Sequence, residues 1–147
     1  MPVPFLYFDL QHAVNVHDWI IEQSGGRPGE NDLGLLDSLL SHIQNDVYYP
    51  SFEDKLLHLV FAVNKSHAFT DGNKRSSIAL GAYFLEVNGY GYCVKNFVHR
   101  MENIAVWVAE GSISKELLGS ILVSLMYEED YSDELKLRII EALTPIV

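Results

Sequence analysis

The chain has 147 residues, 48% of them apolar, with 20 acidic against 10 basic residues and a net charge of -10. That is enough chain for one domain with a proper core, and the acidic balance disfavours nonspecific nucleic-acid binding, which rests on neutralising phosphates with a basic face. No apolar run reaches membrane-spanning length, the start lacks a basic region and cleavage site, and the single cysteine, Cys93, rules out an internal disulfide. These features predict a cytoplasmic protein without membrane association, in which Cys93 is a small buried hydrophobe.

Asp9 is placed to cap a first helix that sets Ala13, Val16, Ile20 and Trp19 on one side and ends at Gly25-Gly26. His12 and His17 sit too far round that helix from each other to chelate together and read as surface or boundary residues. The pair His17-Asp18, without a partner His and Asp elsewhere, is weak evidence for a metal site. A glycine-rich turn leads to Asp32, the expected cap of a second helix with Leu33, Leu36, Leu39, Leu40 and Ile43 as its buried stripe. Asn45 to Phe52 favours an extended conformation, since Val47, Tyr48 and Tyr49 suit strands and Pro50 blocks a helix. Ser51, with Asp54 in the capping-box place, starts a third helix carrying Leu56, Leu57, Leu59, Val60, Phe61 and Val63. His58 within that run reads as a satisfied core histidine.

His67 to Arg75 reads HAFTDGNKR and feeds a helix expected over about Lys74 to Asn88, in which Glu86 is the only charge after Arg75. A helix so apolar around its circumference is buried on all sides. Gly81 and the small residues Ser76, Ser77, Ala79 and Ala82 let neighbours approach closely, and Gly89 is a left-handed stop. This helix and the third should pack as a central antiparallel pair, with Phe69 pinning the loop between them to the core. Thr70 or Asp71 can cap the helix, whose first N–H groups and macrodipole favour an anion. Asn73, Lys74 and Arg75 add donors at the same spot, so the outline is a phosphate cradle, with Lys65 as a further nearby cation. Asp71 is a hard ligand of the kind magnesium takes, and His67 is able to remove a proton from an attacking hydroxyl.

After a brief Tyr90-Gly91-Tyr92 turn, a fifth helix is expected over about Asn96 to Glu110, with Phe97, Met101, Ile104, Ala105 and Val108 inward. Ser114 caps a sixth, with the stripe Leu117, Leu118, Ile121, Leu122 and Leu125. Glu128, Glu129 and Asp130 form a solvated acidic hinge, and Ser132 caps a last short helix to about Leu143. There is no repeat and no low-complexity linker, so residues 1–147 should form one all-α domain.

The motif HAFTDGNKR resembles that of the Fic/Doc superfamily, His-x-Phe-x-Asp/Glu-x-Asn-Gly/Lys-Arg, and most resembles the Doc (death-on-curing) branch. Gly25-Gly26-Arg27-Pro28-Gly29 followed by Asp32-Leu33-Gly34 is similar to a segment such proteins carry upstream, so the resemblance covers about residues 5–127 and leaves 128–147 outside it. It implies a single-domain Fic-like helical bundle in which residues 45–52 are either a connector or a short extended flap that pairs with the target protein before the motif helix pair. It also implies transfer of part of ATP to a Ser, Thr or Tyr hydroxyl of another protein, with His67 as general base, Asp71 on Mg2+ and Gly72, Asn73, Lys74 and Arg75 as the anion hole. Ala68 stands where the family usually has proline, and Lys74 where AMP-transferring members have glycine. Lysine there is the Doc feature and implies a kinase-type toxin that moves the terminal phosphate onto a target such as a translation factor, whereas Gly72 matches the AMP-transferring pattern and keeps AMPylation open. A catalytically silent binding module remains a third reading. Neither Val106 to Gly111 nor Ser112 to Leu117 completes the inhibitory pattern Ser/Thr-x-x-x-Glu-Gly/Asn, so a separate antitoxin is expected to bind near the motif.

Overall fold

In the computed structural model, which describes residues 4–144, the apolar periodicities become seven α-helices. These are α1 (Leu10–Ser24), α2 (Leu33–His42), α3 (Phe52–Lys65), α4 (Asn73–Val87), α5 (Val94–Ala109), α6 (Lys115–Tyr127) and α7 (Asp133–Leu143), with a short 3-10 turn at Gly91–Cys93. Asp9, Asp32, Ser114 and Ser132 each accept a backbone N–H at the start of a helix, and Ser51 with Asp54 forms a complete capping box on α3. The fold is all-α, as the sequence implies.

The central element is α4, which packs against α1, α3 and α5. Its close approach to its neighbours depends on Gly81: a Cβ there would lie 2.8 Å from Val60 Cγ2 and 2.9 Å from Phe97 Cζ. Gly81→Ala is therefore expected to destabilise the fold by about 1–3 kcal/mol through overpacking, seen as a lower urea midpoint at unchanged slope. The helix is not enclosed all round, because Tyr83 is exposed on its outer side. Phe84 is fully buried between Phe52, Tyr7 and Phe8.

Four local expectations change. Trp19 is 63% exposed, because the inward arc of α1 is Ala13, His17 and Ile20. Residues 45–52 are wound rather than extended: Asn45 Oδ1 accepts from the N–H of Val47 at 2.9 Å and of Tyr48 at 3.1 Å, and its carbonyl accepts from Tyr49. A side chain that bonds the following backbone outcompetes strand propensity here, so the stretch is a connector in which the N–H groups of Val47, Tyr48 and Tyr49 are already used. It is tied down by Lys55, a wholly buried lysine whose ammonium donates to Ile43 O and Asp46 Oδ1. The acidic hinge is not simply solvated either, since Asp130 pairs with Arg100 of α5 and Lys136 of α7. Finally, Lys65 turns away from the motif and donates to the carbonyls of Val108 and Ala109, where a cation suits a helix C-terminus.

His58 is satisfied, its Nδ1 accepting from the Lys115 ammonium at 3.2 Å with Tyr49 stacked on the ring. Burial first, then the charges of Lys115 and His42, push its pKa down to about 4. An unfolded histidine titrates near 6.5, so between these values the unfolded chain holds the extra proton and stability falls as pH drops from about 6.5 toward 4. The expected loss by pH 5 is on the order of 1 kcal/mol, discounted because the ring is only half-buried. His58→Gln should flatten the melting temperature between pH 7 and 5.

Candidate active site

The loop between α3 and α4 carries the motif, and most of its backbone is tied down by the chain before α2. The N–H groups of Asn31 and Asp32 donate to Ala68 O, and the N–H of Thr70 donates to Gly29 O, with an antiparallel bridge between Glu30 and Phe69. Asn31 Nδ2 reaches the carbonyls of both His67 and Phe69, and Thr70 Oγ1 donates to Asn31 Oδ1. The extended pairing beside the motif is thus made by residues 29–32, not by 45–52.

His67 is the one described non-glycine residue in the left-handed region, with φ 53°. L-residues avoid that region because Cβ crowds the following carbonyl, so the turn is imposed by its surroundings. The imidazole is exposed at the rim, with its neighbours Ala68 and Phe69 buried.

Asp71 does not cap α4. Its Oδ2 accepts from the N–H of Arg27 at 2.9 Å and its Oδ1 from the N–H of Gly72 at 2.8 Å. These two backbone donors, with lesser help from the charges of Arg75 and Arg27, hold the carboxyl below the usual carboxylate range against the opposing effect of burial. It is therefore ionised at neutral pH, as a metal ligand must be. Its oxygens are partly committed but retain lone pairs. No cluster of three His, Cys, Asp or Glu exists among the described residues. A lone carboxylate fits magnesium that arrives with phosphates, since that ion takes one or two protein carboxylates and leaves its other positions to phosphate and water.

Thr70 does not cap α4 either, and the N-cap is Gly72, left-handed at φ 79°, with no side-chain cap hydrogen bond. No side chain therefore caps the first-turn N–H groups of α4. Of the cradle residues, Lys74 is exposed and takes part in none of the ion pairs among the described residues. The side-chain amide of Asn73 clamps Phe69, accepting from its N–H and donating to its carbonyl, so its first task is to hold the loop. Arg75 Nη1 donates to Ser24 Oγ at 2.6 Å and to Gly25 O at 2.8 Å, the end of α1. Asp71 Oδ2 and Arg75 Nη2 would both lie within 3 Å of a Cβ at Gly26, which has φ 123°; only glycine fits there. Beside Arg75 an open recess of about 350 Å³, mostly apolar, is lined by Ile20, Ser24, Ile78, Ala79, Val98 and Glu102.

Two participants escaped sequence reasoning. His17, expected at the surface or the boundary, is 1% exposed and stacked on Phe69. Its spacing from Ala13 and Ile20 puts it on the buried arc of α1, a signal that was present in the sequence. Asn31, whose side chain makes three hydrogen bonds to the loop, carried no such signal, because a loop asparagine has many possible partners.

This chain belongs to the Fic/DOC family, whose model matches residues 7–85, the stretch that holds α1 to α3, the motif loop and most of α4. Over 104 residues it is 36% identical to the Toxin Doc of Mycolicibacterium smegmatis (strain ATCC 700084 / mc(2)155), covering 65% of this chain and 80% of that one. Over 83 residues it is 32% identical to the Protein kinase doc of Escherichia phage P1, covering 54% of this chain and 65% of the relative. Among the described residues no helix is long and apolar enough to cross a membrane.

Proposed function

We propose that this chain is a Doc-like toxin that transfers the terminal phosphate of ATP to a Ser, Thr or Tyr hydroxyl of another protein in the cytoplasm. The observation that carries this reading is Lys74: an exposed lysine in the first turn of an uncapped helix, two residues from which the chain has glycine at Gly72 and, just before it, the ionised Asp71. A long cation there fills the room in which a nucleotide would otherwise run past the helix start, and it favours the end of the polyphosphate at that point. The likeness to a relative named as a protein kinase supports it.

In this reading His67 accepts the hydroxyl proton, and its exposure lets a side chain of a second protein reach it. The hydroxyl oxygen bonds to the terminal phosphorus as the bond to the bridging oxygen breaks, and ADP leaves. The N–H groups of the α4 start, Lys74 and the remaining nitrogens of Arg75 offset the charge spread over the transferred group. Magnesium held by Asp71 and the nucleotide phosphates would neutralise charge between the terminal and bridging phosphates. We assign inhibition to a separate antitoxin docking near the motif, with the recess beside Arg75 as a surface for it.

Gly72 supports AMP transfer as a second reading, though its left-handed φ gives glycine a backbone reason to be there. The test is incubation with a cell extract, Mg2+ and ATP labelled at the γ or the α phosphate. Label from γ on protein means a kinase, label from α means AMP transfer, and neither means a binding module. Lys74→Gly is expected to lower γ transfer by at least about tenfold, the effect of losing one modest charge interaction in the transition state, or to redirect transfer to α.

A further inference from the structure

One buried titratable side chain at the site has no part in the mechanism above. His17 lies on α1 and is 1% exposed, so its nitrogens need partners. Nε2 is 2.6 Å from the carbonyl oxygen of Asp71; a carbonyl only accepts, so Nε2 carries a proton and donates it. Nδ1 is 3.4 Å from Oδ1 of the exposed Asp18, a longer and weaker contact. The ring lies flat on Phe69, with centroids 3.8 Å apart and planes 2° apart. A Cβ at Gly72 would lie 3.4 Å from His17 Nε2 and 3.2 Å from Ile21 Cδ1, so the left-handed glycine and the imidazole are fitted to each other.

These contacts meet on a single peptide plane. The carbonyl of the Asp71–Gly72 peptide points at His17, and its N–H, on the opposite side, donates to the Asp71 carboxylate at 2.8 Å. Rotating that plane breaks both bonds at once. We infer that His17 is a positioning residue for the catalytic loop: by holding the Asp71 carbonyl from Nε2 and lying against Phe69, it locks the peptide that sets the direction of the Asp71 carboxylate and the start of α4. A leucine of similar bulk would fill the space but leave the carbonyl without its donor. The link to nucleotide binding rests on the proposed function, whereas the link to loop geometry does not.

The test compares two variants of the full chain by NMR and by calorimetric titration with ATP, with and without Mg2+. His17→Phe keeps a ring against Phe69 and removes the donor, whereas His17→Gln returns an N–H at comparable reach. In the wild type, a His17 Nε2–H proton in slow exchange with water is expected. In His17→Phe the amide signals of residues 70–75 should move or broaden while those of α6 and α7 stay. Its ATP affinity in Mg2+ should fall about tenfold, the low end of the cost of losing an outer partner of a metal-binding side chain, with affinity in the absence of Mg2+ unchanged. His17→Gln should restore both. If Phe does not fit, His17→Leu takes its place.

A histidine that merely fills space would give equal stability losses in both variants, with the motif amides and the Mg2+-dependent affinity in place; that result overturns the role. A His17 Nε2–H that exchanges freely in the wild type overturns it too. If the wild type binds no ATP with Mg2+, the kinase reading falls by itself, and the motif amides of the two variants still decide the positioning role.

Discussion

His67→Ala lowers the rate of γ-phosphate transfer by roughly 10²- to 10⁴-fold, the usual range for removing a general base, and leaves the fold intact. The imidazole is exposed and only the backbone carbonyl of His67 is engaged, by Asn31, so truncating the side chain opens no cavity. A companion variant separates chemistry from conformation. His67 holds a left-handed φ of 53° that glycine adopts without cost, so His67→Gly should be as inactive as His67→Ala but more stable than it by about 1 kcal/mol. For a domain of this size that is a difference of about 2–4 °C in melting temperature. If His67→Ala retains full transfer, the base lies elsewhere; if the two variants melt together, the left-handed turn carries no strain.

Phe69→Ala is expected to cost about 3–5 kcal/mol, the range for emptying a buried aromatic site. Phe69 is 1% exposed, its ring is covered by His17, and its own N–H and carbonyl are both held by the Asn73 amide. The same residue therefore belongs to the core and to the loop. Its loss should lower transfer by more than the unfolded fraction accounts for, because His67 and Asp71 are each within two residues of the plug. Phe69→Leu, nearly conserving volume, should cost less than about 1.5 kcal/mol from packing, plus the lost stack. Urea unfolding measured beside transfer at a temperature where all forms are folded distinguishes the two contributions. An alanine variant with an unmoved midpoint would mean that the loop is held by its hydrogen bonds alone.

The elements that were readable in advance share one trait: their causes are local. The caps Asp9, Asp32, Ser51, Ser114 and Ser132 act within three residues of themselves, and the buried stripes repeat with the helix period, so each helix was visible without its neighbours. The motif was readable for a similar reason, since its chemistry-bearing residues are contiguous and stand before an apolar helix. At residues 45–52 the strand propensities of Val47, Tyr48 and Tyr49 point the wrong way, because the side chain of Asn45 bonds the backbone that follows it. Lys65 lies near the motif in sequence, yet a long side chain goes where acceptors are, here the last carbonyls of α5. Arg75 commits Nη1 to the end of α1, which the sequence does not show.

Sequence alone determined an acidic, all-helical domain with the motif HAFTDGNKR at the start of a largely apolar helix, because composition, period and contiguous residues carry that information. Only the tertiary structure decided how the motif is held. His17, Asn31 and the turn at Gly26 lie far from it along the chain, and which motif carbonyls the side chains of His17 and Asn31 reach is set by packing rather than by residue type. What brings them together is the packing of α1 and α2 beside α4, which turns a flexible loop into one with a fixed carboxylate, an outward histidine and an open helix start.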